Sequence, residues 1–292
     1  MSKVNVEKCL AHKFTNTEYY LTEKDVSLYS LSVGAGHKEL KFVYEQSSEF
    51  QALPTIGVIF PYPILLQVID GIDGLEYNPM MLLHGEHHLE VKNKIPTSGK
   101  LTTTSKVSGL YDKVKGVLLV VQADTSDQNG QLIFSNKISL FIRGIGGFGG
   151  DKGPKEKPFV IPKRSCDAQS SFTTTEDQAL IYRLSSGDLN PLHADPEMAK
   201  QGNFSKPILH GLCSLGIASK AVLEHFCNNN SDQFKSVQVR FSKPVFPGET
   251  IITQMWLINP TLVHFIAIVK ERNETVLSGG IVEIAPFKKS TL

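Results

Sequence analysis

The chain has 292 residues, 41% of them apolar, and its 30 basic and 29 acidic side chains leave a formal net charge of +1. That is enough apolar material for one large core or two smaller ones, and the length favours two units. The near-neutral balance gives no general field for nucleic acid and leaves room only for a local basic patch facing a phosphorylated ligand. Cys9, Cys166, Cys213 and Cys227 form no CxxC pair, so they read as reduced thiols with no metal site. No segment reaches the roughly 18 apolar residues of a membrane span. The residues from Met1 to Lys8 lack the apolar run of a secretory signal, so an intracellular, soluble protein is expected.

Taken in chain order, the first informative segment is Tyr29-Ser30-Leu31-Ser32-Val33-Gly34. It lies 153 positions before Tyr182-Arg183-Leu184-Ser185-Ser186-Gly187, with Tyr, Leu, Ser and Gly matched. At the same offset Pro54 matches Pro207 and Ile56 faces Leu209. Lys94-Ile95-Pro96-Thr97-Ser98-Gly99 parallels Lys243-Pro244-Val245-Phe246-Pro247-Gly248 at an offset of 149. Three matches in order point to a duplicated unit. Pro54, Pro61 and Pro63 break any helix in the first copy, because an internal proline removes a donor and clashes with the preceding turn. Strands are expected at His87–Asn93, Leu101–Ser108, Gly116–Thr125 and Leu132–Phe141. Gly144-Ile145-Gly146-Gly147-Phe148-Gly149 satisfies GxGxxG, but the Gly- and Lys-rich segment from Gly150 to Pro158 follows where a dinucleotide fold needs a helix. It reads as a linker, dividing the chain into residues 1–150 and 151–292.

In the second copy, Asp188, Asn190 and His193 fall within six residues at a turn marked by Gly187 and Pro191, where an acid and a base can meet. The offset sets Ala35, His37 and Leu40 against these three, so the first copy lacks the acid and the base. Leu209, Leu212, Leu215, Ala218, Val222 and Phe226 recur at spacings of three and four, predicting one apolar stripe on a helix over roughly 209–227. Asn228 to Asp232 end it, and strands are expected at Ser236–Phe241, Thr250–Ile258, Leu262–Glu271 and Val276–Ile284. A long helix followed by an antiparallel meander is an α+β arrangement in which the sheet can wrap the helix. The tail, Lys288-Lys289-Ser290-Thr291-Leu292, is similar to a peroxisomal Ser-Lys-Leu address, except that Thr291 stands where a basic residue is usual; the plain alternative is a polar end.

The segments Tyr182–His193, Lys206–Leu212 and Arg240–Gly248, with Leu83-His84-Gly85-Glu86 and Phe42-Val43-Tyr44-Glu45 in the first half, together resemble the (R)-specific enoyl-CoA hydratase 2 group. These are MaoC-like double hot-dog proteins, also found as the hydratase part of peroxisomal multifunctional enzymes. The resemblance spans nearly the whole chain. It implies two repeats, each an antiparallel sheet around a central helical segment, with the helix degenerate in the N-terminal repeat. It also implies reversible hydration of trans-2-enoyl-CoA to (3R)-3-hydroxyacyl-CoA in fatty acid β-oxidation. No cofactor, metal or nucleic acid is expected; the partners the resemblance implies are an acyl-CoA thioester, water and a second copy in a homodimer. Catalysis falls to Asp188, Asn190 and His193, with the Gly211 backbone N–H on the thioester oxygen. Substrate contacts fall on His84, Gly85, Lys113 and Phe241, and on the loop Asp188, Leu189, Asn190, Pro191, Leu192 and His193 with Gly211. Such a reaction needs a base for water at C3, an acid for C2 and donors for the charge on the thioester oxygen.

Plainer readings stand beside these. Asp188 and Asn190 suit turn and cap positions, and His193 alone could be structural. His210 fits a cap or a supporting role, Phe241 the core or an acyl contact. Arg240 and Lys243 could meet CoA phosphates or only solvent. Loss of the first-copy helix would leave a cavity for a long acyl chain, lined partly by Ile64, Leu65, Val68 and Ile69. A hot-dog acyl-CoA thioesterase and a non-catalytic acyl-CoA binding protein are the rival functions.

Overall fold

A computed structural model of the chain describes residues 3–154 and 159–287. The Ser290-Thr291-Leu292 address and the residues 155–158 of the linker lie outside the described residues. In chain order the elements are α1 (Val6–Ala11), β1 (Thr17–Leu21), α2 (Glu23–Ser32), α3 (Leu40–Val43), α4 (Tyr62–Asp70), β2 (Leu82–Val91), β3 (Gly99–Asp112), β4 (Gly116–Asp127) and β5 (Leu132–Arg143). The second half follows with β6 (Ala168–Thr173), α5 (Gln178–Ser186), α6 (Pro196–Gln201), α7 (Gly211–Phe226), β7 (Phe234–Phe241), β8 (Thr250–Asn259), β9 (Leu262–Val269) and β10 (Glu274–Ile284).

The strands form one ten-stranded antiparallel sheet in the order β1-β3-β4-β5-β2-β7-β10-β9-β8-β6. Its two halves mirror one another about the β2–β7 seam, where Glu86 faces Arg240, His87 faces Val239 and Leu89 faces Val237 without a register break. The segments matched in the sequence occupy equivalent places. The loops Lys94–Gly99 and Lys243–Gly248 lead into the equivalent strands β3 and β8, and each closes on a glycine at positive φ, Gly99 and Gly248. The two Tyr–Gly segments are the ends of α2 and α5, stopped just beyond by Gly34 at φ 90° and Gly187 at φ 72°, a conformation only glycine adopts freely. These helices pack on each other, so that Ser185 Oγ donates to Ser32 Oγ over 2.8 Å and the Tyr29 and Tyr182 rings lie 6.2 Å apart. Equivalent residues therefore touch across a pseudo-two-fold axis, the self-complementary contact of a C₂ interface.

Helix α7 fills the centre of the second half and is buried all round from Cys213 to Ser219 rather than along one stripe, while Glu224 and His225 of its last turn are exposed. Cys213, Ser214, Leu215, Gly216, Ile217, Ala218, Ser219, Ala221, Val222, Leu223 and Phe226 are all buried. The reason is that the sheet covers one side while α2 and the first half cover the other: a Cβ on Gly216 would come 2.5 Å from Val33 Cγ1. In the first half the corresponding segment is broken, as its prolines require. It becomes a 3-10 turn at Pro54–Val58 followed by α4, with Pro61 as N-cap and Pro63 in the first turn. Ile64 and Val68 of α4 are packed into a core with Val107, Leu119, Val121 and Ile138 of β3 to β5, while Leu66 and Ile69 are exposed. Two of the four residues expected to line an acyl cavity are thus core side chains. No helix among the described residues is long and apolar enough to cross a membrane, and all four cysteines are free thiols.

Candidate active site

The candidate catalytic turn is built residue by residue from the end of α5. Gly187 halts the helix, and the Asp188 N–H donates to Ser186 Oγ over 3.2 Å. Asp188 Oδ1 accepts the Asn190 N–H over 3.1 Å, and Asn190 Oδ1 accepts the Leu192 N–H over 3.0 Å, opening a 3-10 turn at Pro191–His193. Pro191 sits at the first position of that turn, where its missing donor costs nothing. Asn190 is therefore a cap, with its amide oxygen committed to the backbone; only its amide N–H₂ remains for a water or a substrate.

The same turn carries His193 into the site, where its Nδ1 lies 2.8 Å from the Ile208 carbonyl. A carbonyl only accepts, so Nδ1 bears the proton and, in the neutral ring, Nε2 keeps a bare lone pair. The His193 ring stacks on His210 at 3.7 Å between centroids and 25° between planes. His210 Nε2 lies 3.9 Å from Asp188 Oδ2, and the nearest side-chain atoms of Asp188, His193 and His210 all fall within 4.8 Å of one another. His210 is buried, neither ring nitrogen makes a hydrogen bond of ordinary geometry, and its pKa is held well below the ordinary histidine value by that burial, with the His193 charge acting in the same direction and the Asp188 backbone opposing it. Burial also lowers His193, and the Asp188 carboxylate opposes the shift. A metal held by all three would need the two imidazole lone pairs to converge at about 2.0–2.1 Å. Stacked rings hold them in separate, near-parallel planes, which disfavours convergence on one ion, so the group suits proton transfer between a carboxylate and a neutral imidazole.

Beside this pair lies the start of α7. The Cys213 and Ser214 N–H groups close on the His210 carbonyl, which leaves the Gly211 N–H at the positive end of the helix as a donor for an external oxygen. A Cβ on Gly211 would sit 2.9 Å from Phe241 Cδ1, so the missing side chain also lets Phe241 lie against the helix mouth. Phe241 in turn meets His84 edge to face at 5.0 Å and packs on the main core, serving both readings given for it. Gly85 stands at a register shift in β2 between His84 and Glu86.

Other expected residues stand elsewhere. Lys113 donates to the Lys152 carbonyl over 2.8 Å and lines a cleft of about 160 Å³ with Glu86, His87, Tyr111, Lys137 and Gln238, a lining that includes neither Asp188 nor His193. Arg240 is engaged with Glu86 through two bonds of 2.8 and 2.6 Å across the β2–β7 seam. The glycine-rich segment wraps a carboxylate of its own chain: Gly147 and Gly149 donate to Asp112 at 2.8 Å each, and these N–H groups hold its pKa below the usual carboxylate value. An open cleft of about 800 Å³ lined by Lys41, Gln51, Lys94 and Asp232 contains none of the expected site residues.

Tyr62 is a site neighbour that no sequence pattern indicated. It opens α4 in the first half, and its phenol faces Asp188 and the Leu189 backbone; burial, reinforced by the Asp188 charge, pushes its pKa up to about 12. The Ile208 carbonyl was equally invisible, since a backbone acceptor leaves no trace in residue type.

Comparison with known proteins gives a consistent set of relatives. Residues 19–144 match the family described as MFE-2 hydratase 2 N-terminal domain, and residues 158–278 match the MaoC like domain. The chain is 57% identical over 99% of its length, and 99% of the relative's, to "Probable enoyl-CoA hydratase 2" of Dictyostelium discoideum. It is 39% identical to "Enoyl-CoA hydratase 2, peroxisomal" of Arabidopsis thaliana, covering 96% of each chain. Among solved structures, a MaoC-like dehydratase from Phytophthora capsici superposes with a TM-score of 0.90 at 38% identity, covering 97% of this chain and 98% of the other.

Proposed function

The chain belongs to the enoyl-CoA hydratase 2 family of MaoC-like double hot-dog proteins, and from that premise we propose that it reversibly hydrates trans-2-enoyl-CoA to (3R)-3-hydroxyacyl-CoA in fatty acid β-oxidation. The observation that carries this reading is the meeting of Asp188 and a neutral His193 within 4.8 Å, beside the free mouth of α7 at Gly211. The thioester oxygen takes the Gly211 N–H, which stabilises the enolate-like charge that develops as C3 is attacked. Asp188 and the bare His193 Nε2 hold the water. Its oxygen bonds to C3, one of its protons passes to the pair, and the pair returns a proton to C2. The double bond is consumed, one water is added and the catalyst regains its starting protonation state. Asn190 shapes the turn that fixes this geometry, while Leu189, Pro191 and Leu192 form its wall.

The relatives' names support a peroxisomal location, and the family resemblance supports a homodimer. The 1–150 repeat takes the substrate's acyl chain, and the 151–292 repeat performs the chemistry. With Ile64 and Val68 in the core, the acyl chain runs along Leu65, Leu66 and Ile69 instead. On mixing with a trans-2-enoyl-CoA, the absorbance of the conjugated thioester is expected to fall with no release of free thiol. Thiol release from a saturated acyl-CoA identifies a thioesterase, and binding with neither reaction identifies a carrier; either result overturns the hydratase.

A further inference from the structure

Strand β2 carries a run of polar groups that the acid–base pair does not use. The register slips by one residue between His84 and Glu86, a bulge at Gly85. Without it, alternation would send His84 and His87 to opposite faces; with it, both reach the inner side, where His84 meets Phe241. His84 Nε2 then lies 3.2 Å from His87 Nδ1, His87 Nε2 lies 2.9 Å from Asn136 Oδ1, and Asn136 Nδ2 donates to the Gly57 carbonyl over 3.1 Å. His87 and Asn136 are 1% and 0% exposed, so a bond lost here leaves a buried polar group without its partner.

The last member sets the direction of the whole run. Gly57 offers a carbonyl, which only accepts, so Asn136 turns its N–H₂ to Gly57 and its oxygen to His87. His87 must donate from Nε2 and, being neutral, accept at Nδ1; His84 must therefore donate from its own Nε2. Burial pushes His87 down to about 4 and His84 down to about 3, which keeps both rings uncharged at neutral pH.

We infer that His87 and Asn136 are positioning residues that hold His84 as the Nε2–H tautomer, so that its bare Nδ1 is an acceptor for an N–H donor of the substrate. The identity of that donor, an amide of the thioester's carrier arm, rests on the acyl-CoA reading above; the tautomer does not.

Histidine ¹⁵N NMR on the ligand-free protein tests the tautomer directly, and is expected to show His84 protonated at Nε2 and bare at Nδ1. In Asn136→Asp, a carboxylate faces His87 and favours its doubly protonated form, so His87 donates from Nδ1 as well and His84 is expected to switch to the Nδ1–H form. His87→Leu removes the partner and is expected to raise KM for enoyl-CoA roughly 2- to 10-fold, the span of one ordinary hydrogen bond, with kcat kept within about twofold. His87→Gln, whose amide oxygen can accept from His84, is expected to recover most of that loss. A proton on His84 Nδ1 in the unaltered protein overturns the inference, as does a His87→Leu variant with unchanged KM or with a loss confined to kcat. If the protein does not hydrate enoyl-CoA, the NMR result still decides the tautomer, and the dissociation constant of a saturated acyl-CoA replaces KM for the same variants.

Discussion

At Asp188 and His193 the proposed chemistry calls on two side chains whose surroundings are not alike, one partly exposed carboxylate and one imidazole tied to a backbone carbonyl. Replacing either by Ala is expected to lower kcat by roughly 10²- to 10⁴-fold, the usual worth of a positioned acid or base, measured as the rate of loss of enone absorbance. The pH dependence has a definite sign. In the proposed reaction His193 acts in its neutral form and burial lowers its pKa, so activity is expected to persist below the ordinary histidine value of about 6.5 and to fail only as pH falls through the lowered one. Because the Asp188 charge raises His193, an NMR titration of Asp188→Asn should move His193 lower still; an upward move contradicts the geometry. Much of the candidate site was legible because Asp188, Asn190 and His193 fall within six residues and their first-copy counterparts are absent. Tyr62, the Ile208 carbonyl and the His87–Asn136 run were not, since tertiary packing alone brings them there.

Among the elements, α7 shows how packing overrides pattern. The spacing of Leu212, Leu215, Ala218 and Val222 indicated the helix, but its other faces carry Gly216, Ser219 and Ala221, small residues that read as polar or neutral and in fact admit close neighbours. Gly216→Ala places a methyl 2.5 Å from Val33 Cγ1, and the branched Val33 cannot swing aside freely. The expected cost is about 1–3 kcal/mol of stability by denaturant unfolding, the range for overpacking. Val33→Ala in the same chain should recover part of it, a coupling that a double-mutant cycle reads. The expected strands in both halves correspond to β2 to β5 and β7 to β10, with ends differing by a few residues. The edge strands β1 and β6 escaped notice because both are short and alternate between partial burial and exposure, with a core residue only at Leu21 of β1 and a polar run, Gln169-Ser170-Ser171, inside β6.

For the molecule as a whole, the duplication read from a 153-residue offset reappears as the mirrored sheet and as the contact of Ser32 with Ser185. Its buried histidines also set the acid stability. His84, His87, His193 and His210 all have folded pKa values below the ordinary 6.5, so below that pH the unfolded chain binds more protons than the native one. Stability is therefore complete above about 6.5 and declines as pH falls, His87 ceasing to contribute near its folded value of about 4. Urea unfolding should give a lower stability at pH 5 than at pH 7, with a shallower difference in His87→Gln; equal stability at both contradicts it. The most direct measurement is conversion of trans-2-enoyl-CoA by the unaltered chain and by a folded Asp188→Ala, His193→Ala double variant. The first is expected to yield the (3R)-hydroxy thioester, and the second, although its other repeat is untouched, almost none. Sustained hydration by the double variant, or thiol release with the enone absorbance intact, would contradict the proposal.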